Sequence, residues 1–371
     1  MKNDLDRYFR FLQFSLGLND GDDFLSSEAL ENFDWDSFYR FAKKQALVGM
    51  AFDGVQRLPK EVAPCHGLLM TWFGQWQGIK RRNVIMNEAT AEIYGRIRAE
   101  GFRCCILKGQ GNALMYPNPH ARTPGDVDVW VNASREEIRR LAAVLADGNG
   151  TIGKESLNHI EMSVNGIAVE LHSTPAILNN PLYDRRLQRW LRKNADLQCS
   201  NVVSLSDGMG NVAVPTAAFN VVYQLFHLYH HCLFEGIGLR QFVDYFFVVD
   251  KWQTEHTELT DLAALHRELK WLGLWKFAGA VIYVLHEVLG LAENRMTVPM
   301  DKKRGELLLE EILASGNFGK FDERCSFGHG AIGHNLQRLF RDLRLVRYYP
   351  AEALSEPAFR TWHFLWRMWN R

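Results

Sequence analysis

Asp126 and Asp128 stand two residues apart in the run Asp126-Val127-Asp128-Val129-Trp130-Val131. Side chains alternate across a strand, so both carboxylates leave one face while Val127, Val129 and Val131 leave the other. Two like charges side by side repel and lose solvation, and a divalent cation is the usual compensation. An Asp-X-Asp at a strand edge can also simply be solvated. A further acidic group comes from two alternating runs, His159 to Val164 and Ile167 to His172, joined by Asn165-Gly166. Asn-Gly in that position is a strong hairpin signal, because both turn residues must take positive φ. A two-residue turn pairs Val164 with Ile167, Glu161 with Glu170 and His159 with His172, and puts those four polar residues on one face. An ordinary half-buried hairpin has the same pattern. Opposed glutamates nevertheless cost stability unless a cation or proton intervenes, which makes Glu170 a candidate third carboxylate.

Positive groups flank these acids. Lys108-Gly109 ends the apolar run Cys104 to Leu107 and precedes a helix candidate, Asn112 to Met115. Such a turn lets backbone amides approach phosphate oxygens, with the lysine as a mobile charge; glycine turns after strands are also common without that role. Arg122, four residues before Asp126, can add a second phosphate contact. His227 and His231 have an i, i+4 spacing compatible with zinc, and His230 lies beside them. Packing or substrate contact is the ordinary reading of that trio. Arg240 and Asp244 share the same spacing, and as a helix-surface pair they are worth roughly 0.3 kcal/mol. His329 and His334, set among glycines, read as a loop.

The elements that must position these groups follow from periodicity. Residues 1–100 read as a helical region: Asp34 or Asp36 caps a helix through Phe38, Phe41, Ala42 and Ala46, and a longer one carries Ile85, Ala89, Ile93 and Ile97 to a stop at Gly101. Residues 101–175 read as a small α/β unit, including a helix opened by a Ser134–Glu137 capping box with Ile138, Leu141, Ala142 and Leu145 on one face. Helical spacing returns over 176–371: Phe219, Val222, Tyr223 and Phe226 define one face, and Leu239 to Trp252 a second helix. The fold class is therefore α+β, a small mixed sheet flanked by N- and C-terminal helical regions.

The balance of 43 Lys+Arg against 43 Asp+Glu exerts no global pull toward nucleic acid. The six cysteines are scattered without zinc-knuckle or redox spacing, and Cys104 and Cys105 read as small buried hydrophobes. The N-terminus lacks a signal-peptide pattern, and no window approaches the roughly 20 apolar residues of a membrane span; a cytoplasmic setting is the expectation. Trp362, Leu365, Trp366 and Trp369 form a C-terminal stripe with Arg360, Arg367 and Arg371 nearby. A core face is the common reading of such a stripe, and contact with a membrane surface is the other.

Lys108-Gly109, the stretch Arg122-Thr123-Pro124-Gly125-Asp126-Val127-Asp128-Val129-Trp130-Val131, and Val169-Glu170-Leu171-His172 together resemble an uncharacterised bacterial nucleotidyltransferase family of the polymerase-beta-like superfamily. The similarity continues at Gly238-Leu239-Arg240-Gln241-Phe242-Val243-Asp244. Gln110 departs from the superfamily's glycine–serine turn, and the interval from turn to aspartates is longer than usual. The resemblance implies Mg²⁺- or Mn²⁺-dependent transfer of a nucleoside monophosphate from a nucleoside triphosphate to a hydroxyl acceptor. In such a site Asp126, Asp128 and Glu170 would be the catalytic, metal-holding carboxylates. Lys108, Gly109, Arg122, Gly125, His172, Arg240 and Asp244 would border the nucleotide. The acceptor (small molecule, sugar, protein or RNA) is named by no motif. A nucleotide-binding module whose chemistry has decayed, and a toxin-like transferase acting on tRNA or protein, are the competing readings.

Overall fold

The structure, a computed structural model, describes residues 2–19, 24–25, 30–256, 259–322 and 343–369. Cys325, His329, His334 and Arg371 lie outside the described residues. The N-terminal part is helical: α1 (Lys2–Ser15), α2 (Trp35–Lys44), α3 (Val48–Val55) and α4 (His66–Ala99). Asp34 caps α2, its carboxylate accepting from Ser37 N at 3.0 Å. The helix stops before Ala46, which takes a left-handed φ of 56° while Leu47 N donates back to Ala42 O. Ala46 thus occupies the reversal where glycine is usually found.

On α4 the buried stripe is Asn83, Met86, Asn87, Thr90, Ile93 and Ile97, whereas Ile85 is exposed. Four-residue steps overshoot a 3.6-residue turn by about 40° each, so a strict i+4 row winds off the buried face within three steps. The polar members of the stripe serve the fold. Asn83 Nδ2 donates to the carbonyls of His120 (2.9 Å) and Arg122 (2.8 Å), and so anchors the loop leading to the aspartates.

Five strands form a mixed sheet in the order β1-β2-β5-β4-β3: β1 (Cys104–Leu107), β2 (Val127–Val131), β3 (Gly150–Glu155), β4 (His159–Val164) and β5 (Ile167–His172). The short α5 (Gly109–Ala113) follows β1, and α6 (Arg135–Ala146) follows β2. Strand β2 runs antiparallel to β1 and parallel to β5. The hairpin has the register expected from its turn: Asn165 (φ 51°) and Gly166 (φ 77°) link Val164 to Ile167, with Glu161 opposite Glu170 and His159 opposite His172. The Ser134–Glu137 capping box forms, and Ile138, Leu141, Ala142 and Leu145 make the buried face of α6. Strand β3 goes unread in the sequence because it is an edge strand with almost no buried position, so it shows no alternation.

The sheet has two unlike faces. Cys104, Ile106, Val127, Val129, Val131, Ile160, Met162, Val164, Ile167, Val169 and Leu171 form an apolar face packed against α4 and α6. Cys105, Leu107 and Trp130 turn the other way into a larger core shared with the helices. Those helices are α1 to α3 together with α7 (Pro181–Gln198), α8 (Ala217–Phe234), α9 (Leu239–Glu255), α10 (Leu259–Trp271), α11 (Trp275–Leu289) and α12 (Lys302–Ser315). A two-stranded β6–β7 ribbon (Val202–Ser204, Asn211–Ala213) follows α7, and α13 (Pro350–Trp369) ends the described chain. The stripe of α13 is not core: Trp362, Leu365 and Trp369 are exposed, and Trp366 lies 4.2 Å under the Arg135 guanidinium. Among the described residues no helix is long and apolar enough to cross a membrane.

Candidate active site

The parallel pairing of β2 with β5 sets Asp128 directly beside Glu170. Asp126, just ahead of β2, emerges on the same side. One oxygen from each of Asp126, Asp128 and Glu170 lies within 4.8 Å of the others. Oxygens sharing one octahedral Mg²⁺ are about 3–4 Å apart, so small side-chain rotations bring three hard donors onto a single ion. His159, Glu170 and His172 form a second group of the same compactness. The donor chemistry of the carboxylate trio suits Mg²⁺ or Mn²⁺, while the imidazole-containing trio suits softer ions.

Asp128 is the electrostatic hub. Lys108 Nζ stands 3.1 Å from its Oδ2, and His172 Nε2 3.0 Å from its Oδ1 and 3.2 Å from Glu170 Oε2. Burial opposes ionisation of Asp128, but Lys108 and the hydrogen bond from His172 outweigh it and hold the carboxyl well below the ordinary range. Glu170 is likewise lowered against its own burial by His172. The charge of Asp128, reinforced by burial, pushes Asp126 upward instead. His172 is raised, because its bonds to Asp128 and Glu170 overcome the cost of burying an imidazolium. Three carboxylates thus face one ammonium, Lys108, and one imidazole, His172, a negative excess that a divalent ion offsets.

Lys108 reaches this position through a backbone more typical of glycine, φ 49° and ψ −134°. A non-glycine residue held there stores about 1–3 kcal/mol. Its ammonium also meets His227 Nδ1 at 3.4 Å, and burial together with the Lys108 charge keeps that imidazole neutral, its pKa well below the usual value. Gln110 turns away from the carboxylates: its Nε2 donates to Asn87 Oδ1 at 2.5 Å and ties the turn to α4.

Opposite the sheet, helix α9 is buried along most of its length. Asp244 and Arg240 do not form a surface pair. Asp244 instead takes a bidentate bond from Arg122 (Nε to Oδ1 2.7 Å, Nη2 to Oδ2 2.8 Å) and a third from Tyr116 Oη (2.6 Å). Burial disfavours both charges, and the pairing restores them, with Asp244 lowered and Arg122 raised. Arg240 donates from Nη1 to Thr123 O at 3.0 Å, its Nε is buried without a hydrogen-bond partner, and among the described residues no carboxylate forms an ion pair with it. The positive end of this wall is therefore Arg240 rather than Arg122.

Sheet and helices enclose a cavity of about 270 Å³, near the lower end of the roughly 300–1,000 Å³ of small-ligand pockets. Lys108, Gly109, Arg122, Gly125, Asp126, Asp128, Glu170, His172, Arg240 and Asp244 all line it. So do His159, His227, His230, His231, Gln241 and Phe318. The histidines of α8 form no metal-capable group among the described residues; His231 pairs with Glu235 at 2.8 Å. Phe318 carries no motif and Gln241 lies inside the resembling stretch without being singled out there; only the folding of distant segments brings the two together here.

A family model described as "uncharacterised nucleotidyltransferase" matches residues 31–290. No curated protein matches the chain. Among solved structures, a similarity is found to an antigenic nucleotidyltransferase-like protein from Paracoccidioides brasiliensis, at 15% identity over 51% of this chain and 92% of that one. Its TM-score of 0.31 is too low to establish a common fold.

Proposed function

We infer that this chain, which belongs to the uncharacterised nucleotidyltransferase family, moves a nucleoside monophosphate from a nucleoside triphosphate to a hydroxyl acceptor and releases pyrophosphate. The observation that carries this reading is the meeting of Asp126, Asp128 and Glu170 at one end of a cavity whose other wall presents Arg240. Membership of the polymerase-beta-like superfamily is part of the same proposal, as is a division of labour in which residues 101–175 supply the chemistry and the flanks 1–100 and 176–371 shape the acceptor side.

Asp126, Asp128 and Glu170 would hold Mg²⁺ or Mn²⁺. Bound there, the metal supplies charge cover for the triphosphate and lowers the pKa of the attacking hydroxyl. Lys108 keeps Asp128 ionised and neutralises charge close to the phosphates. His172 orients Asp128 and Glu170 by donating to both. Arg240 takes phosphate oxygens on the helical side, and the Arg122–Asp244 pair fixes the loop carrying Asp126 against α9. The acceptor oxygen bonds to the α-phosphorus as the bond to pyrophosphate breaks, and Glu170, where it does not itself hold the metal, would take the hydroxyl proton.

Incubation with each nucleoside triphosphate, Mg²⁺ and an acceptor panel tests the reading, with pyrophosphate release as the measurement. Turnover by the native chain that is lost in Asp126→Asn and Asp128→Asn supports it. Nucleotide binding that needs neither carboxylate nor metal counts decisively against it.

A further inference from the structure

We propose that the cavity extends beyond the carboxylates into a nucleobase subsite formed by Phe318 and Gln241, selective for a base bearing an exocyclic amino group; this rests on the nucleotidyl-transfer reading above. Phe318 lies beyond the family-matched residues 31–290, in the turn after α12, and lines the same cavity. It is 38% exposed, a large aromatic left open to solvent, and it takes a left-handed backbone (φ 55°, ψ 32°). The turn is pinned from behind. A Cβ on Gly319 would stand 2.1 Å from Glu235 O, and one on Gly236 would stand 2.5 Å from Gly319 Cα. Close glycine packing thus holds a strained residue in place with its ring presented outward. His231 meets that ring edge-on at 5.4 Å.

Arg240 connects this ring to the carboxylates. Its guanidinium carbon lies 5.7 Å from the Phe318 centroid, and its Nη1 is 3.9 Å from where a Cβ on Gly125, the neighbour of Asp126, would stand. Arg240 thus stands between the loop that carries Asp126 and the Phe318 ring, so a nucleotide whose α-phosphate lies at the carboxylates can keep a phosphate oxygen on the guanidinium and set its base on the ring. Gln241 adds selectivity. It is buried, its Nε2 donates to Asn317 Oδ1 at 3.3 Å, and its Oε1 has no hydrogen-bond partner among the described residues. With Asn317 presenting its Oδ1, the Gln241 amide turns its nitrogen there and its oxygen is left as the orphan. An exocyclic amino N–H projects from the ring edge and satisfies that acceptor; the one donor on uracil's pairing edge, N3–H, is recessed between two carbonyl oxygens that repel it.

Titration calorimetry of the full chain in Mg²⁺, with ATP, UTP and tripolyphosphate as probes, tests the subsite. ATP should bind more tightly than UTP or tripolyphosphate. Phe318→Ala should weaken ATP about tenfold, the scale of losing one stacked base, and leave tripolyphosphate unchanged. Phe318→Trp should keep ATP affinity, which decides the matter if the alanine variant misfolds. Gln241→Leu should erase the preference for ATP over UTP. Equal binding of ATP and tripolyphosphate by the native chain, an unaffected Phe318→Ala, or a preference that survives Gln241→Leu overturns the subsite and leaves the metal–phosphate reading standing. Failure of all three probes to bind overturns both.

Discussion

The two walls of the cavity each bury charge, and they balance it differently. On the helical wall, Arg122, Asp244 and Tyr116 make a closed set: one carboxylate accepts three short bonds, and both charges are satisfied within the protein. On the sheet wall, three carboxylates meet the Lys108 ammonium and the His172 imidazole, and the set is left open. A closed network is scaffolding, because nothing further can bind without breaking it. An open one has residual field, and a ligand that completes it gains what the fold left unpaired. Arg240, with no ion-pair partner among the described residues, is the open group on the otherwise closed side.

Four substitutions break or sharpen that contrast. The largest effect is expected at Asp128→Asn, which removes the hub of the open set. Pyrophosphate release should fall on the order of a thousandfold or more, the scale of losing a group that acts on charge built in the transition state, while circular dichroism stays native. Asp244→Asn strikes the closed set and should read out as stability. Leaving Arg122 buried without its partner costs about 3–5 kcal/mol, seen as a lower midpoint in denaturant melts; unchanged stability would mean that the helical wall is no lock. Arg240→Met should do the reverse, weakening Mg²⁺–nucleotide binding by about tenfold, as expected for one charge-assisted contact, with stability equal or higher because a lone buried cation is removed.

The smallest effect is a pH dependence. The folded pKa of His172 is raised above the ordinary 6.5. A raised group stabilises fully below its unfolded pKa, and that contribution disappears as pH climbs through the folded value. In EDTA, the stability gap between the native chain and His172→Asn should be widest below pH 6.5 and narrow above it. The lowered carboxyls of Asp128 and Glu170 act with the opposite sign, adding stability above the ordinary carboxylate range that is lost as acid protonates them. A gap that widens with rising pH would place the histidine proton elsewhere.

Much of the local architecture was legible along the chain. Asn165-Gly166 dictates its hairpin and register, since two adjacent positive φ angles allow essentially one turn and the side-chain period of two does the rest. The Ser134–Glu137 box and the period of α6 are read the same way, as are the facing directions of Asp126 and Asp128. What failed locally did so for physical reasons. Strand β3 is an edge without a buried face, Ala46 takes the left-handed reversal that closes α2 in place of the usual glycine, and the i+4 row of α4 drifts off its buried stripe.

The amino-acid sequence by itself determined the carboxylate spacing, the turn, the caps and the alternation of apolar and polar faces, because each depends on backbone sterics within a few residues. Tertiary structure alone decided that β2 lies parallel to β5, so that Asp128 adjoins Glu170. It also decided that Arg122 pairs with Asp244 across 122 positions, that Lys108 meets His227, and that Phe318 reaches the cavity. Those partners are chosen by which surfaces pack together, and sequence separation carries no record of that choice.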